Sequence, residues 1–263
     1  MPSITSKQNP KIKWIRALLS QRQERETSNA FVIEGVRLIE EAHNSGLVPE
    51  IILHSSKIST RGTRLLDAYK TKLAEIHEVN HELLRSISDT ENPQGLLAVF
   101  NKKPLPIDKN SDFILIADGI HDPGNLGTML RTALAAKVNA LILTPGSVDV
   151  YSPKVLRAAM GAHFRLPVHI FEWDQIVSKF ASNTNIPLTY YLAAIENGVK
   201  YWEPDFKNPT AIIIGSEANG ASIWAHQISN KFLSIPISKY SESLNASIAA
   251  GIILFEIVRQ RSL

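Results

Sequence analysis

Residues 113–136 read FILIADGIHDPGNLGTMLRTALAA, and the fold is decided here. Phe113–Ala117 is an unbroken apolar run, the pattern of a strand covered on both faces. Polar residues follow from Asp118, and then a helical stretch from Gly124 to Ala136. A buried strand feeding directly into a helix is one half of a parallel-sheet crossover. The alternation continues downstream. Ala140–Thr144 reads as a strand, Ser152–Met160 as a helix, and Leu166–Ile170, Leu188–Ala193, Ala211–Ile214 and Phe232–Ile235 as strands, with a closing helix over Asn245–Arg261. It also runs upstream. Asn9–Arg25 reads as one amphipathic helix entered through Pro10. Strands at Ala30–Ile33, Glu50–His54, Glu75–Val79 and Gly95–Phe100 then alternate with helices at Gly35–Ser45, Thr63–Thr71 and Asn80–Ser86. The fold class is therefore α/β, with two α/β domains and largely parallel sheets. Asn101–Asp112 (NKKPLPIDKNSD), polar with two prolines, reads as the linker between domains at 1–105 and 106–263.

The 263 residues exceed one typical domain of roughly 100–150. With 44% hydrophobic and 20% charged residues, the chain has ordinary globular composition. Its longest apolar stretches, such as Ile248–Phe255, fall well short of the roughly 18 residues a membrane helix needs. No cysteine is present, which excludes disulfides, thiolate metal sites and cysteine nucleophiles. The histidines (His43, His54, His77, His81, His121, His163, His169 and His226) have no metal-ligand spacing, and no metal is expected. Met1–Gln23 lacks acids, as organelle presequences do, but Ile12, Ile15, Leu18 and Leu19 look like the core face of an ordinary helix. A cytoplasmic protein is the expectation.

The net charge of +3 is unevenly spread. Residues 1–105 hold 15 Lys/Arg against 12 Asp/Glu, a balance of +3, and residues 106–263 hold 13 of each. Lys7, Lys11, Lys13, Arg16, Arg22 and Arg25 stand in one helix-like stretch against Glu24. A basic face beside Trp14 could follow a phosphate backbone, with Lys11, Lys13 and Arg16 as candidate RNA contacts. From composition alone, a solvated helix face is the preferred reading.

Three polar islands follow strands, where open α/β sheets bind ligands. In the first, Asp118–Gly127, Asn125 and Gly127 fall in the first turn of a helix, whose free N–H groups favour anions. Arg131, six residues after Asn125, can face roughly the same way and would fork onto a phosphate. A capped helix with a surface Arg fits this island as well. In the second, Gly215-Ser-Glu217-Ala-Asn-Gly220, the glycine spacing is that of a phosphate loop. Ala221-Ser222 stands where Lys-Ser/Thr is needed, and Glu217 would repel phosphate. A neutral or cationic ligand suits it better. No G-x-G-x-x-G occurs. The third, Ser238–Asn245, puts Ser243 and Asn245 at the start of the last helix, where a simple cap is the usual role.

Taken in order, Asn125-Leu-Gly-Thr-Met-Leu-Arg131, Ile214-Gly-Ser-Glu217 and Ile235-Pro-Ile…Ser243-Leu-Asn245-Ala-Ser247 strongly resemble the three motifs of the SpoU (TrmH) family. Its members are RNA ribose 2′-O-methyltransferases of the SPOUT superfamily that use S-adenosylmethionine. Ser152–Pro167 resembles the family's intermediate segment, and the N-terminal half resembles a ribosomal-protein-like RNA substrate-binding domain found in one branch. The resemblance implies a C-terminal SPOUT-type parallel sheet with a deep trefoil knot, and a homodimer through that domain. It further implies cofactor contacts at Gly215, Ile235 and Leu244, and a reacting ribose surrounded by Asn125, Arg131, Glu217, Ser243 and Asn245. Where the family often has Gly after the motif's Glu, this chain has Ala218-Asn219 before Gly220, a departure that could tighten the loop.

Methyl transfer to a ribose hydroxyl needs positioning of the 2′-oxygen and stabilisation of its developing charge. Arg131 is the expected electrostatic stabiliser and phosphate clamp, because a pKa above about 12 makes a neutral guanidine costly. It would act as base only with help from a bound phosphate. Asn125 would orient the ribose or a neighbouring phosphate, and Glu217, Ser243 and Asn245 would hold the hydroxyl. The separate N-terminal domain favours ribosomal RNA, most of all that of the large subunit, over tRNA. A non-catalytic RNA-binding protein is the alternative of a different class.

Overall fold

A computed structural model describes residues 3–72, 74–90, 93–181, 187–195 and 197–262. In chain order the elements are β1 (Ser3–Ile4), α1 (Pro10–Ser20), α2 (Arg22–Thr27), β2 (Ala30–Glu34), α3 (Val36–Asn44), β3 (Ile51–His54), α4 (Thr60–Lys70), β4 (Glu75–Val79), α5 (His81–Ile87) and β5 (Leu96–Asn101). Next come β6 (Phe113–Asp118), α6 (Pro123–Ala135), β7 (Ala140–Leu143), α7 (Pro153–Ala159) and β8 (Val168–Ile170). The chain closes with α8 (Trp173–Phe180), β9 (Thr189–Ala193), β10 (Val199–Lys200), β11 (Thr210–Gly215), α9 (Ile223–Ile228), β12 (Lys231–Ser234) and α10 (Ala246–Arg261). Two compact units form. One is the chain up to Lys103 together with Tyr151–Phe164; the other is Pro104–Val150 together with the chain from Arg165 onward.

The first unit holds a five-stranded sheet in the order β1-β4-β3-β5-β2. Strand β5 is buried on both faces: Leu96, Ala98 and Phe100 pack with α3 and α4, while Leu97 and Val99 pack with α1 and α5. Its continuous apolar sequence follows from that. The expectation of a largely parallel sheet is corrected here. β1, β3 and β4 are parallel, but β5 runs antiparallel to both β2 and β3. Strand–helix alternation along a chain does not fix direction once a strand inserts between earlier ones. The single helix expected over Asn9–Arg25 is also two helices, because Gln21 is extended (φ −120°, ψ 119°). Arg25, only 5% exposed, folds back and donates to the Leu18 carbonyl at 2.5 Å, capping the end of α1. Tyr151–Phe164, C-terminal to the expected linker in sequence, belongs to this unit. Leu156 and Phe164 enter its core, and the Tyr151 ring lies 4.9 Å from Phe31.

The second unit holds a seven-stranded, wholly parallel sheet in the order β10-β12-β9-β11-β6-β7-β8. On one face Ile114, Ile116, Ile142, Leu192 and Ile213 pack against Trp173, Ile176 and Phe180 of α8 and Ala225 of α9. Elsewhere in the unit α6 and α10 pack on one another, with Met129, Leu130, Ala133, Ile253, Leu254 and Ile257 buried. Helices α8 and α9 and strands β1 and β10 were not among the elements expected from sequence. Because every strand points the same way, the loops after β6, β9, β11 and β12 all emerge at one edge of the sheet. Among the described residues no helix is long and apolar enough to cross a membrane.

Candidate functional site

The loop after β11 is built around two glycines. A Cβ on Gly215 would fall 2.4 Å from the Ala221 nitrogen and 2.5 Å from the Gly220 carbonyl carbon, so no side chain fits there. Gly220 adopts φ +67° and closes a turn in which Ser216 and Gly220 exchange backbone hydrogen bonds of 2.8 and 3.0 Å. The Ser216 hydroxyl donates to the Gly220 carbonyl (3.0 Å) and accepts from the Asn219 N–H (3.2 Å). Gly220 thus supplies the left-handed position that closes this turn. The turn leaves Glu217 exposed at its tip.

Below the turn sits Asp118, 4% exposed at the end of β6. Its Oδ2 accepts the Ser222 N–H at 2.6 Å and its Oδ1 accepts the Thr144 hydroxyl at 3.0 Å. One buried carboxylate therefore ties together the chain after β6, β7 and β11. Sequence reasoning misses Asp118, although an acid ending an apolar strand is a signal for it.

A chain of side-chain hydrogen bonds joins the three islands. Asn125 donates its Nδ2 to Glu217 Oε1 at 2.7 Å, and Asn245 donates its Nδ2 to Asn125 Oδ1 at 2.8 Å. Asn245 Oδ1 then accepts the Ser247 N–H (3.0 Å), the Ser247 hydroxyl (2.7 Å) and the Ile248 N–H (3.3 Å). The polarity is forced. A carboxylate only accepts, so Asn125 must present its amide NH2 to Glu217 and its carbonyl to Asn245. Asn245 both caps α10 and completes the network, which a cap alone would not require.

Beside this network lies a cavity of about 430 Å3. Its walls come from the ends of β9 (Ala193–Ile195), β11 (Ile214–Glu217) and β12 (Leu233, Ile235), and from Ser243–Ala246. Gly215, Ile235, Leu244, Glu217, Ser243 and Asn245 of the sequence-derived set all line it. Asn125 is outside the lining but bonded to two residues within it. Arg131 is elsewhere: it is exposed on α6 and has neither a hydrogen bond nor an ion pair among the described residues. Six residues turn a helix by about 240° beyond one full revolution, which puts Arg131 on a different face from Asn125 and corrects the expectation that they face alike. The first-turn N–H of Asn125 is likewise not free for an anion, since Asp122 Oδ1 caps it at 2.7 Å.

Among the described residues Glu217 is the one charged residue in the lining, and the rest is Ala, Ile, Leu, Gly, Ser and Asn. Such a wall suits a ligand with an apolar flat body, edges that can meet backbone groups, and positive charge. Residues 112–255 match the sequence profile of the SpoU rRNA methylase family. The chain belongs to this family.

Residues 9–98 of this SpoU-family chain match an MRM3-like substrate-binding domain. A 23S rRNA (guanosine-2′-O)-methyltransferase of Bacillus subtilis is 32% identical over 98% of this chain and 99% of its own. An AdoMet-bound rRNA methyltransferase from Sinorhizobium meliloti superposes with a TM-score of 0.87 at 27% identity, covering 98% of this chain and 97% of that one. The SpoU methyltransferase AviRb of Streptomyces viridochromogenes, in complex with AdoMet, gives 0.84 at 29% identity over 97% and 99%.

The basic face expected on the N-terminal unit of this SpoU-family chain is thinner than the sequence count. Lys11 is held by Glu75 at 2.6 Å, and that contact keeps the Glu75 carboxyl below its ordinary range. Arg22 pairs with Glu26 at 2.7 Å, and Arg25 is buried. Lys7, Lys13 and Arg16 remain exposed. Trp14 is half-buried and donates to the Ser28 hydroxyl at 3.0 Å, so its ring edge is already committed.

Proposed function

We propose that this protein transfers the methyl group of S-adenosylmethionine to a ribose 2′-hydroxyl of large-subunit ribosomal RNA. The observation that carries the proposal is the Glu217–Asn125–Asn245 chain on the rim of an apolar cavity where Glu217 is the sole charge among the described residues. The cofactor is a sulfonium that also bears an ammonium, and it fits such a lining. Ile214, Ile235, Ile237 and Leu244 offer faces for an adenine. Gly215, Ile235 and Leu244 can meet its edges through backbone groups, and Glu217 offsets its charge. The volume lies within the roughly 300–1,000 Å3 of small-molecule sites. When bound, the group supplies a methyl on a positively charged sulfur, which leaves as a neutral thioether.

This chain's residues do the rest. Asn125 and Asn245 are fixed by their mutual bond and by Glu217, so they present a rigid polar edge to a ribose. Glu217 accepts the hydrogen bond of a ribose hydroxyl through its remaining lone pairs, and Ser243, whose hydroxyl is exposed, adds a second donor and acceptor. Arg131, exposed on α6 outside the lining, stays cationic and is assigned a phosphate flanking the ribose, from which it offsets negative charge as the 2′-oxygen loses its proton.

Two finer features belong to this reading. A deep trefoil knot is supported by the placement of β12 between β9 and β10, the two ends of a single short connection. Gly198 of that connection lies directly on the β12 backbone, where a Cβ would come within 2.7 Å of the Ser234 nitrogen. A homodimer through the C-terminal unit is supported by α10, on which Ile248 and Phe255, seven residues apart on one face, are 52% and 49% exposed. Large-subunit rRNA is supported by two relatives with 23S rRNA names that match nearly the whole chain. A cytoplasmic place of action is supported by the bacterial rRNA enzyme that matches nearly the whole chain.

Labelled S-adenosylmethionine, offered with unmodified large-subunit rRNA, small-subunit rRNA and bulk tRNA separately, tests the proposal. Label is expected in the first RNA alone and is lost with Arg131→Ala, while cofactor affinity is kept. Label in tRNA only would overturn the substrate. A protein that binds RNA but neither cofactor nor label would be a binding module.

A further inference from the structure

Among the described residues the cavity lining contains no aromatic ring and no Lys or Arg. A nucleotide whose ribose sits against Asn125, Glu217 and Asn245 meets no ring among these residues, and of its two flanking phosphates Arg131 takes one, so the base and the other phosphate look to the rim. The connection from β12 to α10 supplies both. Ile237 and Ser243 within this connection line the cavity, so the five residues between them form an arch at its rim. At the top of the arch Tyr240 is 89% exposed, the largest exposure of any bulky hydrophobic side chain in the described residues. The arch is braced. The Ser238 carbonyl accepts the Ser241 N–H at 2.9 Å, the Ser238 hydroxyl accepts the Tyr240 N–H at 3.4 Å, and the Ser241 hydroxyl donates to the Ser243 carbonyl at 3.1 Å. That last bond ties the tip to a residue of the cavity wall. The Lys239 ammonium lies 5.2 Å from the centre of the Tyr240 ring.

An aromatic ring held out in water by a braced turn, with a cation beside it, has the two properties that single-stranded RNA recognition uses: a face for a base and a charge for the backbone. Resting on the functional reading above, we propose that Tyr240 is the stacking platform for the nucleobase of the nucleotide being methylated, with Lys239 meeting the adjacent phosphate. Stacking there holds the base outside the cavity and leaves the apolar interior to the cofactor. The contact is made by the ring face, so the phenol hydroxyl is dispensable. It concerns the RNA alone, so the cofactor does not feel it.

The test uses the full-length protein and large-subunit rRNA, with kcat and KM for RNA and the cofactor dissociation constant measured separately. Tyr240→Ala is expected to lower kcat/KM for RNA by roughly 5- to 150-fold, chiefly through KM, the span that loss of one stacked base corresponds to. Tyr240→Phe and Tyr240→Trp keep wild-type values within about twofold, and cofactor affinity is unchanged throughout. Once the wild-type protein has marked its target, a synthetic fragment carrying an abasic ribose at that nucleotide provides the control a merely structural role would not pass. On it, Tyr240→Ala costs nothing further. Equal losses on intact and abasic RNA, or a Tyr240→Ala enzyme with wild-type KM, overturn the stacking role while leaving the methyltransferase reading intact. A wild-type protein that transfers no methyl to this RNA overturns the functional reading itself, and the stacking role with it.

Discussion

Replacing Asn125 by Asp changes one NH2 into one oxygen and tests the polarity of the network. The bond from Asn245 survives, because Asn125 Oδ1 is its acceptor in either case. The 2.7 Å bond to Glu217 does not: two carboxylates now face one another across it. The lost hydrogen bond to a charged group is worth about 1.5–3 kcal/mol. Two like charges at about 4 Å add about 1 kcal/mol in water and about 4 at an effective dielectric of 20. Glu217 is exposed and position 125 half-buried, so the water limit is the nearer one. A net loss of about 2–4 kcal/mol gives a kcat/KM lower by roughly 30- to 1,000-fold at pH 8. The effect must depend on pH. Mutual repulsion raises the apparent pKa of the carboxylate pair, and once a proton is shared one carboxyl again donates to the other. The ratio of variant to wild-type rate therefore climbs as pH falls from 8 towards 5, in a methyl-transfer assay where folded protein is checked by circular dichroism. A ratio flat with pH, or a loss below about threefold at pH 8, would refute the assigned network.

Gly215→Ala drives a methyl into backbone atoms 2.4–2.7 Å away, which only movement of the loop can relieve. Such overpacking costs about 1–3 kcal/mol, so calorimetry should show cofactor affinity down at least about tenfold, together with a lower thermal midpoint. In the N-terminal unit, burial holds both His43 and His54 below the ordinary value of 6.5, with Lys72 also lowering His43. The unfolded chain then takes up protons first. Stability is complete above pH 6.5 and falls as pH drops through 6.5 towards the lower folded values. Urea midpoints at pH 7.5 and 5.5 should show this, and His54→Gln should reduce the difference; an unchanged gap would contradict it. Ile248→Glu with Phe255→Glu should halve the mass measured by light scattering, whereas an unchanged mass would place the dimer contact elsewhere.

Much of the C-terminal unit was legible because its signals are local. An apolar strand such as Phe113–Ala117, the helical stretch after it, and Asn245 before a long apolar helix each announce themselves within ten residues. Gly215 could be marked as special, and the structure shows the close backbone approach that demands it. What was not legible depends on strand order. Asn125 and Glu217 are 92 residues apart and meet because β11 lies beside β6, a pairing no periodicity encodes. The same holds for Lys11, whose charge counted towards a basic face until Glu75, 64 residues on, was found to hold it. The direction of β5 is of this kind too. Other misses were avoidable. Trp173, Ile176 and Phe180 stand at helical spacing after Glu172, whose capping box with Gln175 is a sequence signature. The break at Gln21 had no such mark, since the amphipathic pattern runs through it and only the buried Arg25 explains it.

The central claim is that this site methylates a ribose oxygen, and the nature of the product tests it most directly. Large-subunit rRNA labelled by the purified protein would be digested to nucleosides and the labelled species separated. A single 2′-O-methylnucleoside, absent from the Arg131→Ala reaction, is the predicted result. Label on a base, or label that persists with Arg131→Ala, would contradict the account.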